Sequence, residues 1–373
     1  MTVALVSAPL TKAALASLGE DFGWEVVASA GPSLLASDGF DPATVGVLLV
    51  EAERVDREVL DRFQALNVVG CVRGEPANVD LDEATRRGVV VVRSPGRNAE
   101  AVADLVLGLM LSVVRHIAQA HHLVVACELT EERTALRQRK DVVWRPSDPA
   151  APVPYIVYKG PELVTLALGL LGFGAVGRRV GAKGVALGMH VLVHDPFVPG
   201  GAVEAVGAEP VGADELFRRS DILSLHVPPQ QGEPLVGERE LALMKPRSYL
   251  INTARASVLD YGALVRALRD GKLAGAGLDV FPDEPLSPDD PLLQLANVTL
   301  TPHLGGASVN VVEHHSEILL KGLRALAAGR IEAANVKNPG ALSHWPLGVP
   351  PVFSGSRAAR AGNRSQDIGN CRS

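Results

Sequence analysis

The chain has 373 residues, 47% of them hydrophobic and 21% charged, the balance of a globular protein with material for two cores. Its formal net charge of −6, with no basic stripe, excludes a nucleic-acid partner gripped through phosphates. Three cysteines (Cys71, Cys127 and Cys371) without a C-x-x-C pair fit a reducing compartment, and Met1-Thr2-Val3-Ala4-Leu5-Val6-Ser7 lacks the basic flank and the length of a signal peptide or membrane span, so a cytoplasmic protein without a membrane partner is expected.

From the start, β-branched runs at Val3–Ser7, Glu25–Ser29, Val45–Val50, Val68–Val72 and Val89–Arg93 read as strands. Between them Leu10–Leu18, Asp56–Leu66 and Leu81–Arg87 carry apolar residues at helix spacing, and Gly88 is a helix stop. This alternation predicts an open, mostly parallel α/β domain. At Pro95-Gly96-Arg97-Asn98 the pattern changes to a long helix capped by Asn98, with Val102, Leu105, Val106 and Leu109 on one face, able to bridge two domains. From Leu129 to Gly160 regularity falls away. Charges of alternating sign at Glu131–Lys140 predict a solvated helix, followed by an extended loop with Trp144 and several prolines.

A second α/β run opens at Leu166-Ala167-Leu168-Gly169-Leu170-Leu171-Gly172-Phe173-Gly174-Ala175-Val176-Gly177, where an apolar run meets glycines at G-x-G-x-x-G spacing. In a strand-to-helix turn, Gly172 permits the tight turn, Gly174 lets the backbone approach a pyrophosphate, and Gly177 lets the helix pack close to its strand. The helix N-terminus offers free N–H groups and partial positive charge to the phosphates. A helix through Val176, Val180 and Leu187 ends at Gly188, and the strand Met189–His194 is followed by Asp195, placed to accept both hydroxyls of an adenine ribose. Further on come a helix near Ala213–Arg219, a strand at Asp221–Val227, a strand at Ser248–Ala254, a helix near Asp260–Arg269, and strands at Gly275–Phe281 and Asn297–Pro302. Six strands, counting the two around the fingerprint, match a doubly wound dinucleotide fold. A last helix, Ala307–Gly329, is expected to return the chain to the first domain, and beyond Lys337 a Pro-, Gly-, Ser- and Arg-rich stretch reads as a disordered tail.

Three positions at or just past strand ends carry chemistry. Arg255, in Ile251-Asn252-Thr253-Ala254-Arg255, can hold a carboxylate by two parallel N–H bonds and polarise a carbonyl. Glu284 follows Asp279 in Gly277-Leu278-Asp279-Val280-Phe281-Pro282-Asp283-Glu284, and His303 sits in Thr301-Pro302-His303-Leu304-Gly305-Gly306. A His held by a Glu can trade a proton with a hydroxyl or carbonyl oxygen near neutral pH. His121-His122 and His314-His315 read as helix-surface pairs, His194 as the end of its strand, and Trp144 and Phe197 as packing residues; no metal-site spacing is present.

These motifs, in this order, with Asn78-Val79-Asp80, Pro95-Gly96-Arg97-Asn98-Ala99 and Leu225-His226-Val227-Pro228, resemble the D-isomer-specific 2-hydroxyacid dehydrogenase family, which contains D-3-phosphoglycerate dehydrogenase, over nearly the whole chain to about residue 336. The resemblance implies two doubly wound parallel-sheet domains: a flavodoxin-like substrate domain (1–97 and 306–336) into which a Rossmann NAD-binding domain (98–305) is inserted, with 337–373 as the tail. It implies a homodimer built on the cofactor domain. Arg255 would bind the carboxylate and keto oxygen of a 2-oxo acid, His303 would be the acid/base, and Glu284 would orient and tune it. Gly172, Phe173, Gly174, Ala175, Val176 and Gly177 would cradle NAD and Asp195 would select it over its 2′-phosphorylated form. His226, Val227, Pro228, Thr253, Ala254, Gly305 and Gly306 would border the cofactor, and Asp279 would take the nicotinamide carboxamide. Arg73, Gly74, Glu75 and Arg97 would meet the substrate.

The chain departs from the family at Cys71-Val72-Arg73-Gly74-Glu75-Pro76-Ala77, where a Glu adds like charge beside an anionic substrate unless Arg73 offsets it. Glu51-Ala52-Glu53 after the third strand disfavours a phosphorylated substrate, Ala256 stands where a Gly usually follows the Arg, and Val164-Thr165-Leu166-Ala167 replaces a more polar lead into the fingerprint strand. An NAD-dependent D-2-hydroxyacid dehydrogenase is therefore expected. The alternatives are a non-catalytic NAD(H)-sensing regulator on the same scaffold, which Glu75 favours, and a formate-oxidising relative, which Glu284 disfavours because a Gln typically partners the His there.

Overall fold

The computed structural model describes residues 1–29, 33–36, 39–128, 154–229, 232–331, 335–345 and 350–353, so the helix expected at 131–140, Trp144 and Cys371 lie outside the described residues. The chain divides into two compact units, Met1–Asn98 with Ser308–Ser373, and Ala99–Ala307.

Side chains stiff at χ1 suit strands buried on both faces, and the first unit places them so. Its elements are β1 (Val3–Val6), α1 (Lys12–Phe22), β2 (Glu25–Ala28), β3 (Val45–Val50), α2 (Arg57–Arg62), β4 (Val68–Cys71), α3 (Leu81–Arg86) and β5 (Val90–Arg93). The strands pair in parallel in the order β2-β1-β3-β4-β5, with apolar clusters on both faces of the sheet. Side chains of Thr11, Asp56 and Asp80 cap α1, α2 and α3 by accepting from N–H groups of the first turn.

The second unit runs α4 (Ala99–Val114), α5 (Ile117–Val125), α6 (Pro154–Val157), β6 (Ala167–Leu171), α7 (Ala175–Ala186), β7 (His190–His194), α8 (Gly200–Glu204), β8 (Glu209–Pro210), α9 (Ala213–Arg219), β9 (Ile222–Leu225), α10 (Glu238–Leu243), β10 (Ser248–Asn252), α11 (Tyr261–Arg269), β11 (Leu273–Leu278) and β12 (Val298–Leu300). Its sheet is parallel, in the order β12-β11-β10-β9-β6-β7-β8. That is seven strands where periodicity predicts six. The extra strand, β8, has two residues and ends in Pro210, which a sheet tolerates only at an edge and which gives no alternation to read. Helix α4 lies close on β11 because that strand offers glycines: a Cβ at Gly275 would sit 2.6 Å from Val113, and one at Gly277 2.9 Å from Leu109.

The chain returns to the first unit through α12 (Val311–Ala327), which buries Leu319, Leu323 and Leu326 against the sheet. His315 is buried as well, at 1% exposure, correcting its expected surface position: it falls on the same helical face as Leu319 and Leu323. The expected tail is also corrected in part. Asn338 accepts from the Val91 N–H (2.8 Å) and donates to Val89 O (2.9 Å), and the Trp345 indole donates to Gly88 O (2.9 Å). Phe353 packs on Phe22 and Trp24, and the Trp24 indole donates to Val352 O (2.9 Å). Pro- and Gly-rich composition hid these few aromatic and amide anchors; residues 354–373 lie outside the described residues. Among the described residues no single helix is long and apolar enough to cross a membrane.

Candidate active site

The fingerprint glycines earn their places sterically. Gly172 has φ +96°, and a Cβ there would lie 2.6 Å from the carbonyl oxygen of His226; a Cβ at Gly177 would lie 2.3 Å from Gly172 O. At Gly174, the N-cap of α7, the same construction meets nothing within 4 Å, no side chain caps the helix, and its first turn carries no acid. Uncapped N–H groups facing open space beside a glycine fit a pyrophosphate. Asp195, just past β7, accepts from the N–H of Phe173 (2.7 Å) and of Phe197 (2.9 Å), one bond to each oxygen, leaving lone pairs on both for ribose hydroxyls. Phe197 itself is 93% exposed and packs on nothing, against expectation. Thr253, 8% exposed, keeps a buried hydroxyl without a partner among the described residues, a further polar group suited to a bound cofactor. Gly172→Ala combines a left-handed φ with a backbone collision, so an expected loss of about 3 kcal/mol in stability, with NADH binding abolished, is checked by urea unfolding and NADH fluorescence.

His226 closes the other side of this turn: a Cβ at Gly172 would also touch Val227, 2.9 Å away. Its Nε2 shares a hydrogen bond with Ser224 Oγ (2.9 Å), and burial pushes its pKa down to about 4. The unfolded chain binds this proton near pH 6.5. The stabilisation is therefore complete above about pH 6.5 and is lost as pH falls toward 4, by up to about 3 kcal/mol. In His226→Gln that part of the fall in urea midpoint between neutral and acid pH should disappear, whereas an unchanged slope would assign it elsewhere.

At the far ends of β10, β11 and β12 the second unit gathers Arg255, Asp279, Glu284 and His303. Asn252, 1% exposed, shapes the first turn by accepting from Ala254 N (3.0 Å) and donating to Arg255 O (3.1 Å). The Arg255 guanidinium donates to Ala254 O (2.6 Å), and the side chain is exposed. Asp279 is fully buried and accepts from Thr301 Oγ1 (2.6 Å), Leu304 N (2.7 Å) and Gly305 N (2.7 Å). It thus anchors the turn at His303, whose φ of +55° is a strained value for a residue with a Cβ. This anchoring is a role the sequence did not show; only the spacing of an acid and a Thr-Pro-His-Leu-Gly run hinted at it.

His303 Nδ1 lies 2.7 Å from Glu284 Oε2, and Glu284 Oε1 accepts from Phe281 N (3.0 Å). Burial works to raise the Glu284 carboxyl, but the His303 hydrogen bond, the Phe281 N–H and the charges of His303 and Arg255 hold it below its ordinary value. An ionised carboxylate only accepts, so Nδ1 carries the proton and Nε2 of a neutral ring is left to exchange one. An apolar cavity of about 320 Å³, walled by Phe281, Pro285, Leu286, Leu293, Leu300 and Pro302, flanks the pair.

The remaining predicted residues lie on the first unit. Arg73, Gly74 and Glu75 follow β4, and Arg97 follows β5. Glu75 is paired with Lys337 (2.7 Å) and lies 3.5 Å from Arg93, which also donates to Gly74 O (3.0 Å). Its counter-charges are therefore Lys337 and Arg93 rather than Arg73. Among the described residues no group of three or more His, Cys, Asp or Glu side chains could hold a metal ion.

Residues 151–305 match the family described as D-isomer specific 2-hydroxyacid dehydrogenase, NAD binding domain. A glyoxylate reductase of Thermococcus litoralis is 36% identical over 295 residues, covering 79% of this chain and 83% of the relative. The chain belongs to the D-isomer specific 2-hydroxyacid dehydrogenase family. A D-3-phosphoglycerate dehydrogenase of Methanocaldococcus jannaschii is 33% identical over 295 residues, 78% of this chain but 51% of that longer protein. The solved D-lactate dehydrogenase of Aquifex aeolicus, complexed with NAD and lactic acid, shares 26% identity with a TM-score of 0.61, over 90% of this chain and 99% of that one. As a member of this family the protein is an NAD-dependent 2-hydroxyacid dehydrogenase, and its fold of two parallel-sheet α/β units is the family's.

Proposed function

We propose that the protein interconverts a small, unphosphorylated 2-oxo acid, glyoxylate or a close analogue, and its 2-hydroxy acid, the D isomer wherever C2 is a stereocentre. The observation that carries this reading is the 2.7 Å His303–Glu284 pair, with the Arg255 charge acting on the same carboxylate. NAD, when bound, supplies the hydride acceptor, and its reduced form the donor. Arg255 holds the substrate carboxylate through its forked N–H groups and polarises the keto oxygen. In reduction, protonated His303 gives its Nε2 proton to the keto oxygen as C2 is reduced; in oxidation the neutral ring takes the proton back. Glu284 keeps the ring in one tautomer. Asp195 binds the ribose hydroxyls and repels a 2′-phosphate, the Gly172–Gly177 turn holds the pyrophosphate, and Thr253, Ala254, His226–Pro228, Gly305 and Gly306 border the nicotinamide side. Glu75, neutralised by Lys337 and Arg93, gives no support to the sensor alternative. Exposed Ile117, Val124, Val125, Tyr155, Ile156 and Val157 on the second unit support a homodimer formed through that unit, and the cysteine usage a cytoplasmic setting.

The test is a screen of glyoxylate, pyruvate, hydroxypyruvate and 3-phosphohydroxypyruvate, followed by NADH absorbance. Turnover of an unphosphorylated acid is expected. Tight NADH binding with turnover of none would overturn the reading in favour of a sensor.

A further inference from the structure

Glu284 rides on the connection between β11 and β12, a segment with little packing of its own. Phe281 and Leu292 are buried and root it in an apolar cluster of the second unit. Between these roots, residues 282–289 are exposed apart from the half-buried Leu286. Glu284, Pro285 and Leu286 also wall the cavity of about 320 Å³, whose other walls include Leu300, Pro302 and His303 at the end of β12. The 2.7 Å bond between His303 and Glu284 therefore joins two walls of one void rather than two close-packed surfaces. Side chains beside a void lack the dispersion contacts that would otherwise hold them in place.

A second polar tie reaches the same segment. Tyr261, the first residue of α11, donates its hydroxyl to Asp290 Oδ1 (2.6 Å), and that oxygen also accepts from Leu292 N (2.9 Å), capping the short helical turn Pro291–Gln294. Among the described residues, two hydrogen bonds run from residues 281–295 to the rest of the unit, one joining Glu284 to His303 and one joining Asp290 to Tyr261. The platform behind Tyr261 is firm. Asp260 caps α11 by accepting from Ala263 N (2.9 Å), and the helix buries Ala263, Leu264, Val265 and Leu268. Burial, then the Asp290 bond and charge, push the Tyr261 phenol well above its ordinary value, so it stays protonated and keeps donating across the neutral range.

Resting on the reading above that His303 and Glu284 exchange the substrate proton, we infer that Tyr261 is a positioning residue for the reaction: through Asp290 it holds the β11–β12 connection so that Glu284 stays on His303. It acts through Glu284 and not on the substrate. The hydroxyl is what counts, because the ring alone packs on α11's side and leaves the connection without its tie.

Tyr261→Phe keeps the ring and removes that tie. With the best 2-oxo acid of the screen it should lower kcat about tenfold while KM and NADH affinity stay within about twofold. The charged groups acting on Glu284 are His303 and Arg255, and a looser His303 bond leaves its carboxyl less depressed. It then takes a proton at a higher pH, so the acid limb of kcat should move upward. In the Glu284→Gln background the same substitution should cost no more than about twofold. Asp290→Asn keeps the acceptor oxygen and should lose only about threefold, whereas Asp290→Ala should match Tyr261→Phe. Hydrogen exchange followed by mass spectrometry reads the segment independently of turnover: amides in 281–295 should exchange about fivefold faster in Tyr261→Phe, with the rest of the unit unchanged. Unchanged exchange there, an acid limb that stays in place, or an equal loss in the Glu284→Gln background overturns the inference. So does a lowered urea midpoint with kcat unmoved, the mark of a purely structural hydroxyl. A natural protein that binds NADH but turns over no 2-oxo acid overturns the proposed reaction instead, so the two failures are distinct.

Discussion

His303→Ala lowers kcat by about a thousandfold in both directions while leaving NADH affinity within about twofold, the expected loss for a general acid/base that does not hold the cofactor. The surroundings of the ring support the proposed proton exchange. Glu284 Oε2 takes Nδ1, the Phe281 N–H fixes the other carboxylate oxygen, and Asp279 pins the backbone on the C-terminal side of His303 through Leu304 and Gly305. Glu284→Gln removes the charge but keeps the shape, so it should lose about a hundredfold in kcat. Because Glu284 acts through His303, the double variant should be no slower than His303→Ala alone. Stopped-flow measurement of NADH oxidation checks both, and additive losses would mean that Glu284 touches the substrate independently.

Much of this was legible in the chain because the structure repeats simple rules. Val45–Val50 is an uninterrupted apolar run, and β3 occupies those residues, buried on both faces. Gly172, Gly174 and Gly177 are spaced by a turn whose sterics admit nothing larger at two of the three. Legibility failed where a role depends on three-dimensional company. His315 looks like half of a surface pair, but a helix face is set by the neighbours three and four residues on, and there Leu319 and Leu323 point inward. Asp279 reads as a strand-end acid, while the three donors to its buried carboxylate come from residues more than twenty positions away. Glu75 looks like an unmatched charge because Lys337, its partner, lies past the last helix in a stretch whose composition argues for disorder. Phe197 reads as core, yet the Asp195 carboxylate holds its N–H in a turn that leaves the ring in solvent.

Arg255→Ala should cost about ten-thousandfold in kcat/KM, the larger of the two losses, because in the proposed reaction one side chain serves both the substrate carboxylate and the oxygen that gains charge. The side chain is exposed and, among the described residues, it bonds only to the neighbouring Ala254 carbonyl, so removal should leave the fold intact and NADH binding serves as the control. Arg255→Lys should recover only part of the loss, since an ammonium cannot make two parallel bonds to a carboxylate. Added guanidinium should rescue Arg255→Ala more than it rescues Arg255→Lys, whose ammonium occupies the space. The pH profile supplies a separate readout. Arg255 is one of the charges that hold the Glu284 carboxyl down against the effect of burial. Without it Glu284 takes a proton at a higher pH and its acceptor bond from His303 fails sooner as acid is added, so the acid limb of kcat should move upward. An acid limb that stays in place while kcat/KM collapses would leave Arg255 its grip on the substrate but remove it from the electrostatics of the His303–Glu284 pair.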